Sequence, residues 1–132
     1  MTISIVDGAT TLPLHPDLYW TDENDWHPVQ QTVERAISGA LIISTAALLA
    51  GRPITLRSFD ESSGWVPRST VDTLRNWAAT PGKQLTLTIR GVSRTVIFRH
   101  QDGTAMEAEP VVHYGDVAPQ DFYRVTLRFM EV

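Results

Sequence analysis

Leu85-Thr86-Leu87-Thr88-Ile89-Arg90-Gly91, followed by Arg94-Thr95-Val96-Ile97-Phe98-Arg99-His100, decides the fold class. In the first run Leu85, Leu87 and Ile89 alternate with Thr86, Thr88 and Arg90. That period of two puts one face of a strand in a core and the other in water. Gly91 supplies a turn and the second run returns, so the pair predicts a β-hairpin. Downstream, Tyr123, Val125, Leu127 and Phe129 alternate with Arg124, Thr126 and Arg128, which predicts a long final strand over residues 122–132. Residues 105–112 predict another strand between these, with turns at Gln101-Asp102-Gly103 and a loop over 115–119.

Upstream of the hairpin, residues 70–79 predict a helix that Pro81-Gly82 stops. Val71, Leu74, Trp77 and Ala78 fall on one face at spacings of three and four, with Ser69 expected as N-cap and Asp72 completing a capping-box-like pattern. Further back, Val29, Gln31, Val33, Arg35 and Ile37 alternate with Gln30, Thr32, Glu34 and Ala36, as a half-buried strand does. Ser38-Gly39 predicts a tight turn, Leu41-Ile42-Ile43 a buried return strand, and Ile54-Thr55-Leu56 one more strand after Pro53. The stretch 10–28 carries Pro13, Pro16 and Pro28 among Tyr19, Trp20 and Trp26, and so reads as an ordered but irregular arm. Residues 2–6 could add a short strand at its start.

Together these elements predict one domain over residues 1–132. It has an irregular N-terminal arm (1–28) and a mostly β core (29–132), a β-sandwich or strongly curved antiparallel sheet with one short amphipathic helix at its side. About six to eight strands are expected. A chain of 132 residues buries roughly two-thirds of the surface its unfolded form exposes, so it needs no staple.

Composition narrows the function classes. There is no cysteine, which excludes disulfides, thiolate metal sites and a cysteine nucleophile. Fifteen acidic against eleven basic residues leave a net charge of −4, so no bulk attraction draws the chain to nucleic acid or an anionic membrane. The start lacks the basic, apolar pattern of a signal peptide, and the nearly uncharged run 36–51 is too short and too interrupted for a membrane span, so a soluble protein is expected.

Motifs for chemistry are sparse. His15, His27, His100 and His113 have no ligand-like pairing. Asp22, Glu23 and Asp25, or Asp60 and Glu61, could supply paired carboxylates only if the fold set them across a cleft, and their sequence context suits solvated turns better. Ser62-Ser63-Gly64 reads as a turn rather than a nucleophile elbow, and Gly51-Arg52-Pro53 lacks what a phosphate loop requires. No catalytic residue, metal or cofactor is expected. Trp77 is expected in the core, while Trp65 could cap the helix or face a partner. Tyr19, Trp20 and Trp26 are the candidate exposed anchors, for a protein partner or a sugar, or else they fold back and seal one end of the domain.

The segments Glu34-Arg35-Ala36-Ile37-Ser38-Gly39-Ala40-Leu41-Ile42-Ile43 and Gly51-Arg52-Pro53-Ile54-Thr55-Leu56 are similar to the opening of small tail proteins of bacteriophages. Gly64-Trp65-Val66, Pro81-Gly82, Ala105-Met106-Glu107-Ala108-Glu109-Pro110 and Phe122-Tyr123-Arg124-Val125-Thr126-Leu127-Arg128-Phe129 extend the likeness over roughly residues 28–132. Among such proteins the chain most resembles the distal tail proteins of long-tailed phages and the smaller minor tail proteins at the same place. The resemblance implies a non-catalytic virion subunit assembled in the bacterial cytoplasm. It also implies a hexameric ring of copies between the tail tube protein and the baseplate hub protein. A head-to-tail ring needs large interfaces. Tyr19, Trp20, Trp26, Arg35, Trp65 and Arg90 are the candidate interface residues, and reversing the charge of Arg35 or Arg90 is expected to weaken assembly. The rivals are a tail terminator or completion ring protein, a carbohydrate-binding module using Tyr19, Trp20 and Trp26, and a small hydrolase.

Overall fold

The computed structural model describes residues 3–58, 64–101, 103–113, 115–116 and 118–132. The expected residues Asp60, Glu61, Ser62, Ser63 and Asp102 lie outside them. The described chain is mostly β. Its main body is a nine-stranded antiparallel sheet built from β1 (Ile3–Asp7), β2 (Thr10–Leu14), β3 (Tyr19–Trp20), β6 (Pro53–Arg57), β7 (Trp65–Pro67), β8 (Leu85–Ile89), β9 (Val92–Phe98), β10 (Met106–Pro110) and β11 (Phe122–Glu131). Two further strands, β4 (Val29–Arg35) and β5 (Leu41–Ala47), pair only with each other. The single described helix is α1 (Arg68–Ala78).

The sheet is organised around β11. Its two edges serve four partners: β10 then β9 along one side, β7 then β6 along the other. From β9 the path continues through β8 and β1 to β2, and from β6 it ends at β3. Period-two alternation holds throughout, with Leu85, Leu87 and Ile89, then Val125, Leu127 and Phe129, and Ile54 and Leu56 all buried. An eleven-residue helix is only about 16 Å long and covers a few strands at most. The rest of this face must cover itself, so the sheet curves until its inner side chains form one cluster. Val71, Leu74 and Trp77 bring α1 onto that cluster beside β7, β10 and β11. No described helix is long and apolar enough to cross a membrane.

Three expectations change. The irregular arm is partly sheet: β1, β2 and β3 put Ile3, Ile5, Leu14 and Trp20 into the core, and Leu18 joins them from the segment before β3. Pro13 is accommodated because β2 is an edge strand, paired to β1 alone, where a missing N–H costs little. The helix begins earlier than expected, after Pro67 rather than Ser69, and has no side-chain cap. Its first N–H groups are satisfied by the loop before β11 instead, Arg68 donating to the Asp121 carbonyl (2.8 Å) and Ser69 to that of Pro119 (3.1 Å). The strands β4 and β5 form the expected hairpin but do not join the core.

Candidate functional site

That hairpin is the most unusual feature of the molecule. All seven residues of β4 and all seven of β5 are exposed, and the hairpin's extensive contacts are those between its own strands. Isolated two-stranded hairpins are marginally stable in water, because neither face has anything to pack against. Leu41-Ile42-Ile43, expected to be buried, is about half exposed along its length. The β-branched run is strand-forming as read, but among the described residues no core packs against it.

The pairing register fixes which groups are unused. Ala36 donates to the Ala40 carbonyl (2.8 Å) at the turn, and Leu48 to that of Pro28 (2.9 Å) at the root. With Val33 opposite Ile43 and Gln31 opposite Thr45, the even-numbered residues of β4 and β5 hydrogen-bond within the hairpin. The odd-numbered ones therefore turn their N–H and C=O outward, with the Val29 N–H taken up by the His27 carbonyl (2.8 Å). These are Val29, Gln31, Val33 and Arg35 along one edge, and Leu41, Ile43, Thr45 and Ala47 along the other. They also share one face, since opposed residues point the same way. That face is mainly aliphatic, whereas the other carries Gln30, Thr32, Glu34 and Ser44 together with Ile42 and Ala46.

Edges elsewhere in the sheet are blunted. β2 carries Pro13, β3 is two residues long, and β10 ends in Pro110 with Glu107 and Glu109 exposed. The hairpin strands contain no proline and no lysine, and Glu34 and Arg35 are their only charges. Nothing on them discourages a further strand.

The root of the hairpin is firmly held. Asp22 accepts from the Thr55 N–H (2.9 Å) and its hydroxyl (3.0 Å). The Arg52 guanidinium lies over both Trp20 (4.8 Å) and Trp26 (5.8 Å) and donates to the Glu23 carbonyl at 2.8 Å. Arg94 also stacks on Trp20, at 5.1 Å. These contacts tie segment 20–26 to the end of the sheet where β6 starts and β11 finishes.

The expected interface residues fall at separate places. Trp20 is only 9% exposed, a correction to its role as a free anchor, because guanidinium groups and the core cover its indole. Trp26 is partly buried against Arg52, while Tyr19 remains exposed. Tyr19 and Trp20 line a polar cleft of about 300 Å³ with Glu23, Asp25 and Arg90. Arg90 forms an ion pair with Glu23 of its own chain. Arg35 donates to the Gly39 carbonyl at 3.2 Å, bracing the hairpin turn. Trp65 meets Phe122 at 5.9 Å, at the far end of β11. Asp22 and Glu23 are engaged as described, and no group of three or more potential metal ligands occurs among the described residues.

Sequence reasoning read Val29 and Val33 as the apolar face of a half-buried strand and Leu41-Ile42-Ile43 as a buried one. The signal that marks them otherwise is the neutrality of both strands, whose open edges would elsewhere carry charge or proline. Compared with protein-family models and with curated proteins, the chain matches none.

Proposed function

We propose that the chain is a non-catalytic structural subunit of a phage tail, closing with copies of itself into a ring at the distal end of the tail tube. The observation that carries this reading is the exposed β4–β5 hairpin, apolar on one face and unpaired along both edges. Placing β5 of one copy beside β4 of the next satisfies the outward N–H and C=O groups in a continuous antiparallel ladder. Parity keeps Val29, Val33, Leu41 and Ile43 of successive copies on one side of that ladder. There they would be covered by the bodies of the subunits. Gln30, Thr32, Glu34 and Ser44, with Ile42 and Ala46 among them, then face a water-filled lumen with little positive charge to grip a polyanion.

The reading extends to the neighbours that the resemblance implies, a tail tube protein on one side and a baseplate hub protein on the other. A tail terminator or completion ring would use the same hairpin, so location in the virion distinguishes the two. A saccharide-binding module finds support in the polar cleft beside Tyr19, although the burial of Trp20 removes one of its proposed rings.

Light scattering and electron microscopy of the purified protein, with quantitative detection in purified virions, test the proposal. Closed rings near six subunits, or a fixed copy number at the tail tip, are expected. A strict monomer at high concentration that no virion contains would overturn it, and glycan binding through the Tyr19 cleft would take its place.

A further inference from the structure

We infer that the tip of the hairpin seats in a cleft lined by Trp65 and Phe122 on a second copy of this chain; the inference rests on the self-assembly proposed above. The tip, Ala36-Ile37-Ser38-Gly39-Ala40, is an ordered turn. Gly39 donates to the Ala36 carbonyl (2.9 Å), Ala36 to that of Ala40 (2.8 Å), and Arg35 clamps the Gly39 carbonyl. At its apex Ile37 has a relative exposure of 109%, so its own chain covers none of it. A β-branched aliphatic side chain displayed on a hydrogen-bonded, uncharged turn is a knob without a hole.

A matching hole lies elsewhere on the molecule. Trp65, Val111, Val112 and Phe122 line a cleft of about 190 Å³, room for an aliphatic side chain. Its mouth is apolar, with Phe122 50% and Val112 53% exposed. Asp121 is the charged group in the lining, and one of its carboxylate oxygens already accepts the Ala118 N–H at 2.8 Å. Knob and hole each leave apolar surface in water when alone, with Gln120 and Asp121 as the polar part of the cleft's lining.

Their placement makes the contact intermolecular. The hairpin leaves the body beside Gly51 and Arg52, which bond to Glu131 at the C-terminal end of β11. The cleft sits at Phe122, where β11 begins. These ends are about 30 Å apart along the strand, and the tip does not turn back to its own cleft, since its own chain covers none of Ile37. A knob at one pole and a hole at the other define a head-to-tail contact between unlike patches, the kind that builds rings and stacks.

Because the chain has no cysteine, disulfide trapping has no background. Ile37→Cys and Val112→Cys proteins, mixed under mild oxidation, are expected to form a heterotypic disulfide that neither forms alone. Ile37→Asp is expected to weaken self-association about tenfold or more, with its melting transition unchanged, and Ile37→Leu to restore it. If the copies assemble but the mixture yields no disulfide and Ile37→Asp assembles normally, the tip contact is wrong while the ring stands. Loss of binding to another tail protein, with assembly of Ile37→Asp intact, assigns the tip to that protein and overturns the second-copy assignment. A wild-type chain that stays monomeric overturns both.

Discussion

At the scale of single residues, two backbone positions carry the clearest consequences. Gly64 is buried at φ +70°, and a Cβ there would sit 3.1 Å from Leu18 and 3.2 Å from Ser58. Gly64→Ala therefore combines left-handed strain with a collision against the core and the start of β6's outgoing loop. It should lower stability by about 2 kcal/mol, measurable by urea unfolding. Arg90 also has positive φ (+52°), followed by Gly91 at +78° in the two-residue turn between β8 and β9. Such a turn favours asparagine or glycine at its first position. Arginine persists there while paired to Glu23, but that pair is half exposed and contributes little. Arg90→Asn should raise stability by up to about 1 kcal/mol, and Arg90→Glu should lower it by a similar amount. The same thermal melts would show whether charge reversal at Arg90 acts on the subunit before it acts on assembly, in contrast to Arg35 at the hairpin tip.

At the scale of elements, the hairpin and the body should respond independently. Val33 and Ile43 face each other across β4 and β5, and both are exposed. Replacing both with lysine sets like charges side by side on the face assigned to the interface. The body should melt within a few degrees of wild type, since hairpin residues add nothing to its core, while light scattering should show loss of assembly. Leu74→Ala should do the reverse: from a fully buried site on α1 it should cost about 2–5 kcal/mol of subunit stability. The contrast explains what was legible in the sequence. Periodicity located β8, β9, β11, the hairpin and the inner face of α1, because alternation depends only on there being one dry side. It did not say whose core makes that side dry, so Leu41-Ile42-Ile43 read as buried. The arm was misread for a different reason. Pro13 argues against a central strand, but β2 is an edge, and nothing local in Thr10–Leu14 announces that its other partner is missing. The cap of α1 was misplaced because its donors go to Asp121 and Pro119, some fifty residues away in sequence. The polar cleft at Tyr19 and the Trp65–Phe122 cleft likewise join segments that only the sheet brings together.

At the scale of the whole molecule, self-assembly makes a prediction resolved amide by amide. A neutral interface of backbone pairs and aliphatic side chains depends weakly on ionic strength, unlike one built from exposed ion pairs. Its formation follows mass action, so the hairpin should be ordered by concentration while the curved sheet is ordered regardless. In dilute protein all hairpin amides should exchange rapidly, because an uncovered hairpin opens easily. In assembled protein the even-numbered amides gain protection as the hairpin stops opening, whatever covers it. The odd-numbered ones from Gln31 on, Gln31, Val33 and Arg35 with Leu41, Ile43, Thr45 and Ala47, point away from their own hairpin, so only a strand of another chain can protect them. Hydrogen exchange on the two states therefore separates the possibilities that mass alone leaves mixed. Protection of both sets means strand addition along the open edges. Protection of the even set alone means that a partner lies on the apolar face without continuing the ladder, and the edge-paired ring would then have to be abandoned even if the particles proved to be closed.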